Sequence, residues 1–211
     1  MAGSCQNPPK EIIFTLDLIA LKFLTQPKRA ARGLALMKGK LMPVTLRPVA
    51  GSDQDFLFQV YASTRRAEVT AWGWNEAQQD AFLRMQFTMQ QRAYEMQHAQ
   101  AAHDIIMLDD EPIGRLLVAR SAGEIQLTDI SLLTDYRGRG IGSQLITNLL
   151  DEADRTGAKV SLQVLKENPA ARLYERLGFI RTGEHGLYFL MERPAAYLSP
   201  QRRRERRDIK E

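Results

Sequence analysis

The stretch Leu132-Leu133-Thr134-Asp135-Tyr136-Arg137-Gly138-Arg139-Gly140-Ile141-Gly142 decides the fold, because it joins two segments of different period. Before it, residues 124–133 read as a long strand. After it, a helical run begins at Ser143 and continues to about Thr156, where Gly157 stops it. Three glycines let the backbone turn tightly and bring consecutive N–H groups close to a ligand. The helix behind them adds its unsatisfied first-turn N–H groups and the positive end of its dipole. Arg137 and Arg139 supply cationic donors. Together these residues suit a pyrophosphate, although a purely structural left-handed turn also explains many glycine loops. The Lys-Ser/Thr ending of a P-loop is missing. A dinucleotide fingerprint would open the first strand–helix unit instead of following a run of strands.

Upstream, residues 44–49 form a short strand, and Ser52 or Asp53 caps a helix running to about Ala62. Trp72-Gly73-Trp74 interrupts, and Asn75 then caps a long helix over 76–100. Residues 105–108 and 113–119 pair as a hairpin around the turn 109–112, and a second turn at 121–123 leads into the strand 124–133. Downstream, 159–165 alternates Val160, Leu162 and Val164 as a strand with one buried face should. Asn168-Pro169 opens a further helix, with proline in its first turn, and Gly178 stops it. Residues 179–181 and 187–192 close as strands around the turn 183–186. The order β-α-α-β-β-β-α-β-α-β-β is a mixed layer fold with a crossover helix between the fourth and fifth strands.

The chain of 211 residues carries 29 Lys+Arg against 25 Asp+Glu, a net charge of +4. The excess sits at the ends. Residues 1–41 hold seven basic and two acidic side chains and residues 196–211 hold six and three, so the body between them is net acidic. The expected organisation is therefore an N-terminal extension over 1–41, a functional domain over 42–195 beginning near Met42-Pro43-Val44, and a basic, flexible tail over 196–211. The apolar run 12–24 is broken by Asp17 and Lys22. It falls short of the roughly 20 residues a membrane span needs, and it makes a poor secretory signal. The charge run 201–211 lacks the aromatic interleaving that single-strand binding favours, so no nucleic-acid partner is expected. The lone Cys5 excludes an internal disulfide, and the scattered His98, His103 and His185 give no metal spacing. A cytoplasmic location follows as the expectation.

Residues 132–142 resemble the acetyl-CoA loop of the GNAT N-acetyltransferase superfamily, written Gln/Arg-x-x-Gly-x-Gly/Ala, with Arg137, Gly140 and Gly142 at its defined positions. A second segment, Asn168-Pro169-Ala170-Ala171-Arg172-Leu173-Tyr174-Glu175-Arg176-Leu177-Gly178-Phe179, is similar to that family's Asn-x-x-Ala…Tyr-x-x-x-Gly-Phe signature. The resemblance covers about residues 42–193. It implies an α+β fold with a mixed, mostly antiparallel sheet of about seven strands and flanking helices. It also implies acetyl-CoA as cofactor, its pyrophosphate on Arg137, Gly138, Arg139, Gly140, Ile141 and Gly142. The pantetheine arm would lie along the backbone at Leu132, with Asn168 contacting the cofactor near the strand end. Thr134 stands where the family commonly has proline, which affects the turn more than the chemistry.

By the same resemblance Tyr174 is the general acid for the departing thiolate. A phenol with pKa about 10 is a reasonable donor to a thiolate of pKa about 8.5, while packing beside Leu173 and Leu177 is the plain alternative. The general base has no signature. Glu124 and Asp129 are the carboxylates on the strand leading to the site, and Asp129 lies nearer the reacting end. The helical region before the sheet would set the acceptor, through Tyr61-Ala62-Ser63-Thr64-Arg65 and the Trp72/Trp74 pair. The two tryptophans read either as a cation–π cradle or, preferred, as core anchors. Met85, Met89 and Met96 read as adaptable core. The expected activity is acetyl transfer to a primary amine in a ternary complex, since Cys5 lies outside the domain. An acyl-CoA-binding regulatory module without turnover is the alternative, and a homodimer stays open.

Overall fold

The computed structural model describes residues 44–195, so the expectations for 1–41 and 196–211 lie outside the described residues. Seven strands form one sheet: β1 (Val44–Pro48), β2 (Ala102–Leu108), β3 (Glu111–Ser121), β4 (Glu124–Leu132), β5 (Lys159–Leu165), β6 (Ile180–His185) and β7 (Tyr188–Arg193). They are ordered β1-β2-β3-β4-β5-β7-β6. The helices are α1 (Gln54–Thr70), α2 (Glu76–Gln97), α3 (Ile141–Thr156) and α4 (Ala170–Arg176). Every pairing is antiparallel except β4–β5, which α3 joins as a crossover. The seven-strand order and the mixed, mostly antiparallel sheet agree with the sequence reading.

Two clusters of buried side chains occupy opposite faces of the sheet. Neighbouring strand residues point to opposite sides, and Ile106 belongs to the cluster under α3 and α4 while Ile105 belongs to the one under α1 and α2. The first contains Leu145, Ile146, Leu149, Leu150 and Ala153 of α3 with Ile125 and Leu127 of β4 and Val160, Leu162 and Val164 of β5. Full burial of each such Leu, Ile or Val contributes about 1.5–3 kcal/mol, which makes this face the anchor of the fold. The second contains Leu57, Phe58, Tyr61, Ala62 and Val69 of α1 with Leu83 and Phe87 of α2.

Several boundaries differ from the sequence reading. The first helix runs on to Thr70, not Ala62, because Val69 is buried against α2 and no breaker intervenes. Neither Ser52 nor Asp53 caps it by side chain. Instead Asp53 accepts from both terminal nitrogens of Arg47, at 2.8 Å each, and from the Ala50 amide. Arg47 and that amide hold its carboxyl down to about 2. Asn75 caps α2 as expected, with its side chain accepting from Gln78 N while the Gln78 side chain accepts from Asn75 N. The β2–β3 turn is shorter than expected, with Asp109 and Asp110 at positive φ (48° and 66°) and β3 starting at Glu111. Met85, Met89 and Met96 are not core: all three lie on the exposed side of α2. Among the described residues no helix is long and apolar enough to cross a membrane.

Candidate active site

The site is built where the parallel ladder ends. β4 pairs with β5 only from Glu124↔Lys159 to Leu127↔Leu162. At that point Thr128 is left without a partner in β3, which pairs Val118 with Leu127 and Leu117 with Asp129. A bulge adds a residue and bends its strand. It also reverses parity. Ile125 and Leu127 face α3 before it, Ile130 and Leu132 pack on that same cluster after it, and Asp129 and Ser131 consequently face the α1–α2 side. Past the bulge the pairing of β4 with β5 ends, opening a gap in the sheet at the candidate residues Asp129 and Leu132.

The loop expected to take an anion lies at the mouth of this gap. A single turn of 3-10 helix over Thr134–Tyr136 leads to Arg137, then Gly138 and Gly140 adopt φ of 72° and 85°. Those left-handed angles require glycine. Gly140 begins α3 with no capping side chain, which leaves the first-turn N–H groups of Ile141, Gly142 and Ser143 facing outward. Gly142 is different. Its φ is ordinary, and a Cβ added there would meet nothing within 4 Å. Neither strain nor crowding within the protein demands glycine at 142, whereas close approach of a ligand to the backbone would.

The two arginines of the loop behave differently. Arg137 Nε donates to the Leu132 carbonyl (2.8 Å) and Nη2 to Ser63 Oγ (3.0 Å), tying the end of β4 to α1. Desolvation of its guanidinium lowers its pKa although much of the residue is exposed. Arg139 stands over the Tyr136 ring at 5.2 Å, and the Tyr136 hydroxyl donates to Glu111 (2.8 Å). Asn168 uses its side-chain oxygen to accept from the Ala170 amide (2.9 Å), so it opens α4 by capping.

Tyr174 projects from α4 and is buried, its ring edge-on to Phe179 at 5.6 Å. Among the described residues no acceptor holds its hydroxyl. Burial, reinforced by the charge of Asp129, pushes the phenol up to about 12. Asp129 itself is heavily engaged. Arg115 Nη2 is paired with its Oδ2 at 2.5 Å, Ser131 Oγ donates to Oδ1 at 2.8 Å, and Tyr94 Oη lies 3.4 Å from Oδ2. Glu124 sits at the closed, paired end of β4, where it accepts from Ser161 (2.7 Å) and faces Lys159, away from the gap.

The sequence reading missed Arg115, Tyr94, Ser131 and Gly114, and it named Ser63 only for the acceptor side, not for its contact with Arg137. Arg115 had a signal, since an arginine inside the apolar run from Ile113 to Val118 needs a buried counter-ion. Gly114 had a weaker one. A Cβ there would stand 2.3 Å from the Ser131 carbonyl, so β3 can press against the tip of β4 only through glycine. The tryptophans are not core anchors, with Trp72 40% and Trp74 39% exposed. They form a closed triangle with Phe82, at centroid separations of 5.1, 5.4 and 5.3 Å. Rings in mutual contact leave no room for an ammonium between them. A separate surface cavity of about 380 Å³, lined by Met96, His98, Arg120, Glu124 and Gln126 among others, takes in Glu124 but none of the candidate residues of the loop or the gap.

The acetyltransferase (GNAT) family model matches residues 59–179, and the chain belongs to that family. It is 46% identical over 65 residues to the mycothiol acetyltransferase of Corynebacterium aurimucosum, covering 30% of this chain and 21% of that one. It is 39% identical over 75 residues to the N-alpha-acetyltransferase RimI of Mycobacterium tuberculosis, covering 35% and 46%. The chain thus matches about a fifth to a half of the length of these curated relatives. The fold is also that of the PaiA N-acetyltransferase of Thermoplasma acidophilum, solved in complex with coenzyme A. That structure has a TM-score of 0.55 and 18% identity, over 72% of this chain and 99% of that one.

Proposed function

We propose that this chain is an acetyl-CoA-dependent N-acetyltransferase that passes the acetyl group directly to a primary amine while both substrates are bound, with residues 42–195 as the catalytic unit. The observation that carries the reading is Tyr174: a buried, protonated phenol near enough to Asp129, past the end of the β4–β5 ladder, to feel its charge.

The residues present fit an acyl-CoA. Its pyrophosphate would meet the N–H groups of Gly138, Arg139, Gly140, Ile141 and Gly142, with the cations of Arg137 and Arg139 on the same loop. Arg137, by gripping the Leu132 carbonyl, sets the end of β4 whose backbone would accompany the pantetheine arm. Asn168 keeps its amide nitrogen for the same ligand while its oxygen caps α4. The bound thioester supplies an activated acetyl carbon. Tyr174 Oη holds the proton that the departing sulfur needs, and its raised pKa keeps it loaded across the working range. Asp129 faces the α1–α2 side, from which the amine would enter, and presents a carboxylate to the ammonium before its proton is lost. Paired with Arg115, Asp129 is held to orient the amine, and an ordered water could take the amine's proton.

The test is free-thiol release from acetyl-CoA with an alanyl peptide, a lysyl peptide, spermidine, glucosamine and an aminoglycoside as acceptors. Thiol release that requires one of these amines, with a matching acetylated product, supports the reading. Tight acetyl-CoA binding without turnover on any of them would favour a binding module instead.

A further inference from the structure

We propose that Arg115 is a positioning residue for the acceptor half of the site, holding the Asp129 carboxylate and the second half of α2 in one fixed geometry. This rests on the reading that the amine enters on the α1–α2 face. Arg115 is 2% exposed and lies on β3, beneath α2. Both protons of its Nη2 are committed, one to Gln90 Oε1 at 2.7 Å and one to Asp129 Oδ2. Its guanidinium carbon stands 5.6 Å from the centre of the Tyr94 ring, and Tyr94 reaches the same carboxylate oxygen. Three elements therefore meet on one cation: β3 through Arg115, β4 through Asp129 and Ser131, and α2 through Gln90 and Tyr94.

What makes this contact decisive is the composition of α2. Its buried side chains, Gln79, Leu83, Gln86 and Phe87, all lie ahead of its last ten residues. From Thr88 to Gln97 no side chain is buried, so apolar packing does not seat that stretch of the helix. The polar contacts to Arg115 and Asp129 do. Burial of a guanidinium disfavours its charge, but the paired Asp129 carboxylate outweighs that and keeps it cationic. The side-chain partners of Arg115 are Gln90, Asp129 and Tyr94, whereas the cofactor loop is set by Gly138, Gly140 and the grip of Arg137 on the Leu132 carbonyl. Loss of Arg115 should therefore loosen the acceptor wall and leave the acyl-CoA half intact.

The experiment compares full-length wild type with Arg115→Met, Arg115→Lys and Gln90→Ala. Amide hydrogen exchange is followed peptide by peptide, acetyl-CoA affinity by calorimetry, and kinetics with the best acceptor from the amine panel. In Arg115→Met, exchange over residues 88–97 should accelerate by about tenfold or more while α3 is unchanged. The KM for the amine should rise by about tenfold, with acetyl-CoA affinity within about twofold. Arg115→Lys, which keeps the charge at Asp129, should recover part of both. Gln90→Ala tests the α2 contact without uncovering the buried charge, and decides the matter if Arg115→Met does not fold. Unchanged exchange over 88–97 in the folded variants, or a loss of acetyl-CoA affinity in step with the amine KM, would overturn the proposal. A wild type that turns over none of the amines would sink the transferase reading instead, while the exchange arm still decides the role of Arg115.

Discussion

Leu127 and Leu162 face each other as the last rung of the parallel ladder between β4 and β5. One residue later Thr128 drops out of register with β3, and the strands separate. The bulge and the end of the ladder coincide because the extra residue bends β4 away from its neighbour and exchanges the faces of every residue beyond it. Asp129 and Ser131 are thereby turned to the α1–α2 side, while Tyr174 on α4 approaches the gap from the other. The relative placement of Asp129, Ser131 and Tyr174 depends on that single unpaired residue.

Gly142 separates a ligand-driven glycine from a structural one. Replacing it with valine should leave unfolding free energy within about 0.5 kcal/mol, since the new side chain meets open space and valine is no worse than glycine in a helix. Acetyl-CoA affinity should nevertheless fall by at least about tenfold, or about 1.4 kcal/mol. Calorimetry together with urea unfolding checks both halves.

Gly114 gives the opposite pattern. Its added Cβ would lie 2.3 Å from the Ser131 carbonyl and 2.8 Å from a Leu132 methyl, so the strand tip must move. Gly114→Ala should destabilise by about 1–3 kcal/mol. It should also weaken acetyl-CoA binding, because the displaced residues border the cofactor path. Thermal melting and calorimetry on the same variant measure the two effects.

Acid should weaken the fold through Asp53. Its carboxyl is held down to about 2, chiefly by Arg47. A depressed carboxyl stabilises the folded state above its unfolded value of about 4, and that contribution is lost as pH falls from about 4 through 2. Arg47→Ala should lower the urea midpoint at pH 6, and should lower it much less at pH 2, where the Asp53 carboxyl is half protonated in the folded state. Urea midpoints at the two pH values give the comparison.

Alkali should act through Tyr174. Its phenol is pushed up to about 12 by burial and then by Asp129. A group whose folded pKa is raised keeps its full contribution below the unfolded value of about 10 and loses it as pH climbs toward 12. Asp129→Asn should lower the Tyr174 midpoint, visible as tyrosinate absorbance appearing at lower pH than in wild type. An identical titration would mean that Asp129 exerts no field at the phenol.

Much of this was legible in the sequence, for physical reasons. The strand–loop–helix at 124–156 announces itself by a change of period across three glycines, and two of those glycines do adopt left-handed angles. The capping box at Asn75 is local and was readable locally. Burial of the methionines on α2 was misjudged because spacing alone cannot say which face of a half-covered helix meets the sheet. The Thr128 bulge left no trace, since its effect is a parity change between strands far apart in sequence. The Arg115–Asp129 pair needed the β3–β4 register before either residue could be assigned a partner.

The account stands most directly on Tyr174 as the proton donor at the gap. Thiol release from acetyl-CoA should be followed with the best amine acceptor for wild type and Tyr174→Phe, alongside calorimetry of acetyl-CoA binding. The phenylalanine keeps the buried ring against Phe179 and removes only the hydroxyl. The prediction is a fall in kcat of about 10²–10⁴-fold, with acetyl-CoA affinity within about twofold. An unchanged kcat in a variant that still binds acetyl-CoA would contradict it.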